Sequence, residues 1–194
     1  MKFVLATGNA GKIREMREIL QKLGIEAVSQ QELGLALDVE ETGSTFLENA
    51  TLKAEAVCKA ANLPAIADDS GLVVEALGGD PGVYSSSYGG DGLDDADRYR
   101  YLLKNMENME QRAAKFVSII VCVFPDGQVV SAKGECHGEI AFEPRGEGGF
   151  GYDPVFLVND TGKSMAELTP EEKNAVSHRG IALREFAEKL KQVK

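Results

Sequence analysis

The sequence predicts a mixed α/β fold: one β-sheet with flanking helices, arranged as two lobes around a central substrate cleft. Three observations carry this. The chain opens in β-α-β order, the usual sign of an α/β sheet. A further helix and strand follow. Then come two long apolar runs, "AAKFVSIIVCVF" and "VVSAKGECHGEIAF", separated by Pro125-Asp126-Gly127, which reads as an antiparallel hairpin.

Each element has a local reason. Residues 2–6, "KFVLA", form a short apolar run and predict a strand. "TGNAG" is a turn. Ile13, Met16, Leu20 and Leu23 recur at helical spacing and predict a helix over 12–23, ended by Gly24. "IEAVS" predicts the second strand. Thr45 and Glu48 form a capping-box signature for a helix over 45–61. "AIADDSGLVV" predicts one or two strands over 65–75, and the glycine-rich run 78–90 a long loop. Tyr99, Leu102, Leu103 and Met106 share one face of a helix over 95–107. Thr169-Pro170-Glu171-Glu172 starts a last helix that should run to the C-terminus with a kink near Gly180.

The 194 residues suit a single domain spanning 1–194. The net charge of −10 excludes general attraction to a nucleic-acid backbone, which needs a basic face. No window is long and apolar enough for a membrane span, and the N-terminus lacks a signal-peptide pattern, so the expected location is cytoplasmic. The three cysteines, Cys58, Cys122 and Cys136, are odd in number and widely spaced. That argues against a disulfide framework. Cys136-His137 is an isolated pair on a predicted strand, where packing is the commoner role.

Chemistry is suggested where the apolar pattern is broken. Asp68 and Asp69 stand side by side in a buried-type strand. In a regular strand they face opposite ways, so only one of them looks into a given cleft. The plainer reading is that one caps a turn at Ser70-Gly71. "TGNAGK", Thr7 to Lys12, joins a strand to a helix, and free N–H groups at a helix start attract phosphate. It lacks the spacing of a Walker A loop. Lys53 interrupts the stripe Phe46, Ala50, Val57, Ala60, and Arg179 interrupts Val176, Leu183, Phe186, Leu190. Snorkelling at the core edge explains either one alone. Glu40 and Glu41 add carboxylates that either cap the following helix or help to hold Mg²⁺, which takes oxygen ligands. In "GGFGYDP", Phe150 and Tyr152 lie among glycines, placed either to stack on a flat ligand or to fill the core.

Together these segments resemble the Ham1-like inosine triphosphate pyrophosphatases, also described as dITP/XTP pyrophosphatases. The resemblance covers essentially the whole chain. It rests on "ATGNAGK" (6–12), "EETGSTFLENATLKA" (40–54), "IADDSGL" (66–72), "LGGDPGVYS" (77–85), "GGFGYDP" (148–154) and "ELTPEEKNAVSHR" (167–179). It implies an elongated fold, usually a homodimer, and Mg²⁺-dependent hydrolysis of a non-standard purine nucleoside triphosphate to monophosphate and pyrophosphate. Thr7, Gly8, Asn9, Ala10, Gly11 and Lys12 would grip the triphosphate. Asp69 would be general base and metal ligand, supported by Asp68, with Glu40 or Glu41 completing the metal site. Lys53, Ser70 and Lys173 would contact substrate. Phe150, Gly151, Tyr152 and Asp153, with His178 and Arg179, would form the base pocket. Two rival readings share many of these residues: a related pyrophosphatase for other nucleotides, and a non-catalytic nucleotide-binding regulator, which would not need Asp69.

Overall fold

The computed structural model describes residues 1–193. Its strands are β1 (Lys2–Leu5), β2 (Glu26–Ser29), β3 (Ala65–Val74), β4 (Ala113–Val123), β5 (Val129–Ile140) and β6 (Phe156–Val158). Its helices are α1 (Ala10–Lys22), α2 (Phe46–Ala61), α3 (Asp95–Asn105), α4 (Pro170–Val176) and α5 (His178–Leu190). The strands form one sheet in the order β2-β1-β3-β4-β5-β6. β1 is parallel to both β2 and β3, while β5 and β6 are antiparallel. The sheet is therefore mixed, as the sequence predicts.

The chain divides into two compact units. The first comprises residues 1–69, Ser118–Gly134 and the chain from His178 onward; the second comprises Ser70–Val117 and Glu135–Ser177. In the first unit the alternation of side chains along the strands decides everything that follows. Phe3, Leu5, Ile66, Ile120 and Cys122 face a layer made by Met16, Ile19 and Leu20 of α1 and Ala182, Leu183 and Phe186 of α5. Val4, Ala6, Ala65, Ala67, Val121 and Val123 face the other way, onto Ala50, Ala54, Val57 and Cys58 of α2. Each large side chain buried this way stabilises by about 1.5–3 kcal/mol. Gly134 has a specific reason to lack a side chain. A Cβ there would lie 2.0 Å from the His178 carbonyl oxygen and 2.5 Å from the Ala182 nitrogen, both α5 backbone atoms that cannot move aside.

The second unit has its own core, built from Leu72, Val74, Leu102, Met106, Phe116, Ile140, Val155, Phe156 and Met165. Arg112 is buried beside it and donates to the carbonyls of Met106, Met109, Ile140 and Ala141, which satisfies its guanidinium inside the protein.

Two local expectations are corrected, and one alternative is set aside. α1 begins at Ala10, two residues early, because the Asn9 side chain accepts from the Lys12 N–H at 3.0 Å and caps the helix there. The last helix does not kink at Gly180. It breaks at Ser177, whose ψ of 152° is extended, and α5 starts afresh with Gly180 inside it. β3 runs unbroken through Ser70-Gly71, so those residues form no turn for an aspartate to cap. The strand β6 escaped the sequence because three residues carry too little periodicity to read. The capping boxes at Thr45/Glu48 and Thr169/Glu172 both form.

Candidate active site

Strand parity sends the two aspartates to different helices. Asp68 shares the side of Ile66 and points into the layer of α1 and α5; Asp69 shares the side of Ala67 and points toward α2. Each meets the cation that broke the apolar stripe on its own side. Neither cation snorkels.

Asp68 is fully buried. Its Oδ2 accepts from Arg179 Nη2 at 3.0 Å and lies 2.9 Å from Lys12 Nζ, while its Oδ1 accepts from Ser118 Oγ at 2.5 Å. Burial opposes the charge, but Arg179, Lys12 and the Ser118 hydroxyl outweigh it and hold the carboxyl well below the usual aspartate range. Arg179, 2% exposed, also donates from Nη1 to Glu15 Oε2 at 2.5 Å. Burial disfavours its charge, and Asp68 and Glu15 more than restore it. The guanidinium expected at the base pocket is thus committed to two carboxylates.

Asp69 is 5% exposed. Lys53 Nζ donates to its Oδ1 at 2.9 Å, to Glu41 Oε1 at 2.8 Å and to the Asp68 carbonyl at 3.1 Å. Burial pushes the Asp69 carboxyl up, and Lys53 offsets only part of that. For Lys53 burial works against the ammonium, and Asp69 and Glu41 together win. Among the described residues Asp69 Oδ2 has no hydrogen-bond partner.

Lys12 is short of negative charge. Burial lowers its pKa first, Asp68 restores part, and the neighbouring Lys53 and Arg179 lower it further. An ammonium in that position gains from an additional anion. Lys12 lies in the first turn of α1, which, like that of α5 and unlike those of α2, α3 and α4, carries no acidic residue. The positive end of this helix is left uncompensated. Thr7, Gly8, Asn9, Ala10 and Gly11 lead into it. The Thr7 hydroxyl accepts from the Asn9 N–H at 3.2 Å.

The residues fit a hard divalent cation. Asp69 Oδ2 is a buried oxygen without a partner among the described residues, and Glu41 reaches the lysine that holds Oδ1. Glu40 is exposed and carries no contact to that lysine. Among the described residues no three His, Cys, Asp or Glu side chains gather into a ready-made metal site.

Other predicted site residues lie in the second unit. Lys173 is buried, with Nζ 2.6 Å from Asp153 Oδ2 and 5.0 Å from the centre of the Phe150 ring. The Phe150 N–H donates to the same Asp153 oxygen at 3.1 Å. Tyr152 fills the core and its hydroxyl donates to the Ser85 carbonyl at 2.7 Å, while Phe150 stays half-buried. Ser70 is half-buried on β3. His178 is buried at the start of α5, in the first unit. Cys136 is buried in the second unit's core, its thiol pushed up to about 11 by burial and Asp153. The neighbouring His137 is outside and faces Glu135.

The sequence reading missed Glu15 and Ser118. Ser118 had a signal, as the one hydroxyl inside the apolar run "FVSIIVCVF". Glu15 had none, since "REMRE" reads as an ordinary solvated face.

A mixed α/β sheet that gathers a helix N-terminus, two lysines and paired aspartates defines a protein built to receive a phosphorylated ligand. The chain belongs to the Ham1 family, whose model matches residues 3–189. It is 52% identical over 193 residues to a dITP/XTP pyrophosphatase of Thermus thermophilus, covering 98% of this chain and 92% of that one. It is 47% identical over 194 residues to the enzyme of the same name from Escherichia coli K12, covering 98% of both. The structure of the Staphylococcus aureus Ham1 protein matches with a TM-score of 0.88 and 43% identity over the full length of both chains.

Proposed function

We propose that this protein is a nucleoside triphosphate pyrophosphatase. It hydrolyses non-standard purine nucleoside triphosphates (ITP, dITP, XTP) to the monophosphate and pyrophosphate, and so keeps them out of DNA and RNA. Its relatives' names support the substrate class. The observation that carries the chemistry is Asp69, with one oxygen held by Lys53 and the other buried without a partner among the described residues.

In this reading Lys12 and the N–H groups opening α1 hold the phosphates. Asp69 accepts the proton of the attacking water. Burial raises its pKa, which makes it a stronger base than an ordinary aspartate. Lys53 orients the carboxylate and offsets the charge of the phosphoryl group. Asp68 stays ionised and fixes Lys12. Mg²⁺, held by Asp69 and Glu41, would supply charge neutralisation at the phosphate oxygens. Phosphoryl transfer of this kind is mostly positioning and charge stabilisation. Phe150 to Asp153 with Lys173 would receive the base. The same resemblance supports a cytoplasmic homodimer; among the described residues no helix is long and apolar enough to cross a membrane.

The test is pyrophosphate release from ITP, dITP, XTP, ATP, GTP, CTP and UTP with Mg²⁺. A kcat/KM at least about tenfold higher on the first three supports the reading. A preference for pyrimidine nucleotides, or tight binding without turnover, sinks it.

A further inference from the structure

In the second unit the segment 148–153 turns left-handed on both sides of Phe150, at Gly149 (φ +71°) and Gly151 (φ +63°). Two glycines give the backbone no local reason to hold that ring in one place. Yet two successive N–H groups are each held by a carboxylate. The Phe150 N–H donates to Asp153 Oδ2 at 3.1 Å, and the Gly151 N–H donates to Asp95 Oδ2 at 2.7 Å. The first carboxylate belongs to the loop itself. The second comes from the first turn of α3, 56 residues away in sequence.

Asp95 is free to do this because its neighbour caps the helix: Asp94 accepts from the Asp97 N–H at 2.8 Å. The post behind it is firm. Leu102 and Met106 are fully buried in the core. Arg98 donates to the carbonyls of Tyr88, Gly90 and Leu93 and ties α3 to the preceding loop. A hydrogen bond to an ionised acceptor is roughly twice as strong as a neutral one.

We propose that Asp95 is a positioning residue for this loop. By holding the Gly151 N–H it presets the Phe150 ring for the purine, and it sets KM and base preference instead of turnover. The proposal rests on reading the loop as the base-binding segment.

Asp95→Ala and Asp95→Asn separate this role from a helix-end charge. The amide of Asn still accepts from Gly151 but has lost the charge. Asp95→Ala should raise KM for ITP about tenfold, with kcat within about twofold, the size expected for one lost charge-assisted hydrogen bond. Asp95→Asn should recover most of that loss. Hydrogen exchange of the Gly151 amide, measured without substrate, should quicken in Asp95→Ala and much less in Asp95→Asn. Unchanged Gly151 exchange overturns the proposal, as does an unchanged KM, or an equal effect of both substitutions confined to thermal stability. Wild type distinguishes the two failures. No pyrophosphate release from ITP or XTP by wild type defeats the functional reading, whereas normal wild-type kinetics with an unaffected Asp95→Ala defeats only the role of Asp95.

Discussion

Lys53 Nζ and Asp69 Oδ1 are 2.9 Å apart, and the second Asp69 oxygen is buried without a partner among the described residues. One ammonium thus holds the carboxylate by one side and leaves the other side for a water or a metal. This geometry makes the roles of both residues separable by substitution.

Asp69→Asn keeps the shape and the hydrogen bond from Lys53 but removes the base. Turnover should fall by roughly 10²–10⁴-fold while the protein stays folded. Steady-state pyrophosphate release, with circular dichroism as control, checks this. Retention of more than about a tenth of wild-type kcat would rule out the general-base role.

Lys53→Met restores an apolar stripe on α2 yet leaves Asp69 and Glu41 without their shared cation. A side chain that only snorkelled would lose nothing. Here kcat/KM for the triphosphate should fall, and the melting temperature should drop by an amount corresponding to about 1–3 kcal/mol. Added Mg²⁺ should recover part of the lost melting temperature in the variant and recover less in wild type. Identical Mg²⁺ responses would separate Lys53 from the metal site.

Arg179→Ala leaves Asp68 ionised and fully buried with its main counter-charge gone. Removing one partner of such a pair costs about 3–5 kcal/mol. Urea unfolding should show a large fall in midpoint, and the loss should apply to all substrates alike. Arg179→Lys should recover only part of it, because one ammonium cannot span Asp68 and Glu15 as the guanidinium fork does. A variant of normal stability that has lost only its preference for ITP over ATP would return Arg179 to the base pocket.

The two aspartates should separate activity from folding as pH falls. Asp69 has a raised folded pKa, so in the free enzyme its protonated form is reached above the ordinary aspartate value. Protonation there removes the base and relieves, not worsens, the cost of burying its charge. Asp68 has a folded pKa well below the ordinary value, so its contribution is complete above that value and is lost only as pH drops through the lower folded one. The acid limb of kcat/KM should therefore lie at higher pH than acid unfolding followed by circular dichroism. Coincident limbs would mean that loss of fold, and not loss of the base, ends activity.

Much of this was legible in the chain. The β-α-β opening, the hairpin at Pro125-Asp126-Gly127 and the two capping boxes follow from periodicity and turn chemistry, which act over a few residues. The break in polarity at Asp68-Asp69, and the cations Lys53 and Arg179 inside apolar stripes, marked where chemistry would sit. Local sequence also determined that the two aspartates must face opposite sides of the sheet, because a strand alternates.

Which cation met which carboxylate was decided only by the tertiary structure. Glu15 looked solvated until α1 packed on α5 and buried it against Arg179. Ser118 became a ligand of Asp68 because β4 lies beside β3 in the sheet, 50 residues on in sequence. Asp95 looked like one more acid at a helix start until the fold brought Gly151 to it. These pairings depend on distances between segments far apart in the chain, and residue-by-residue preferences carry no information about such distances. The sequence could name the charges; the packing of helices on the two faces of the sheet chose their partners.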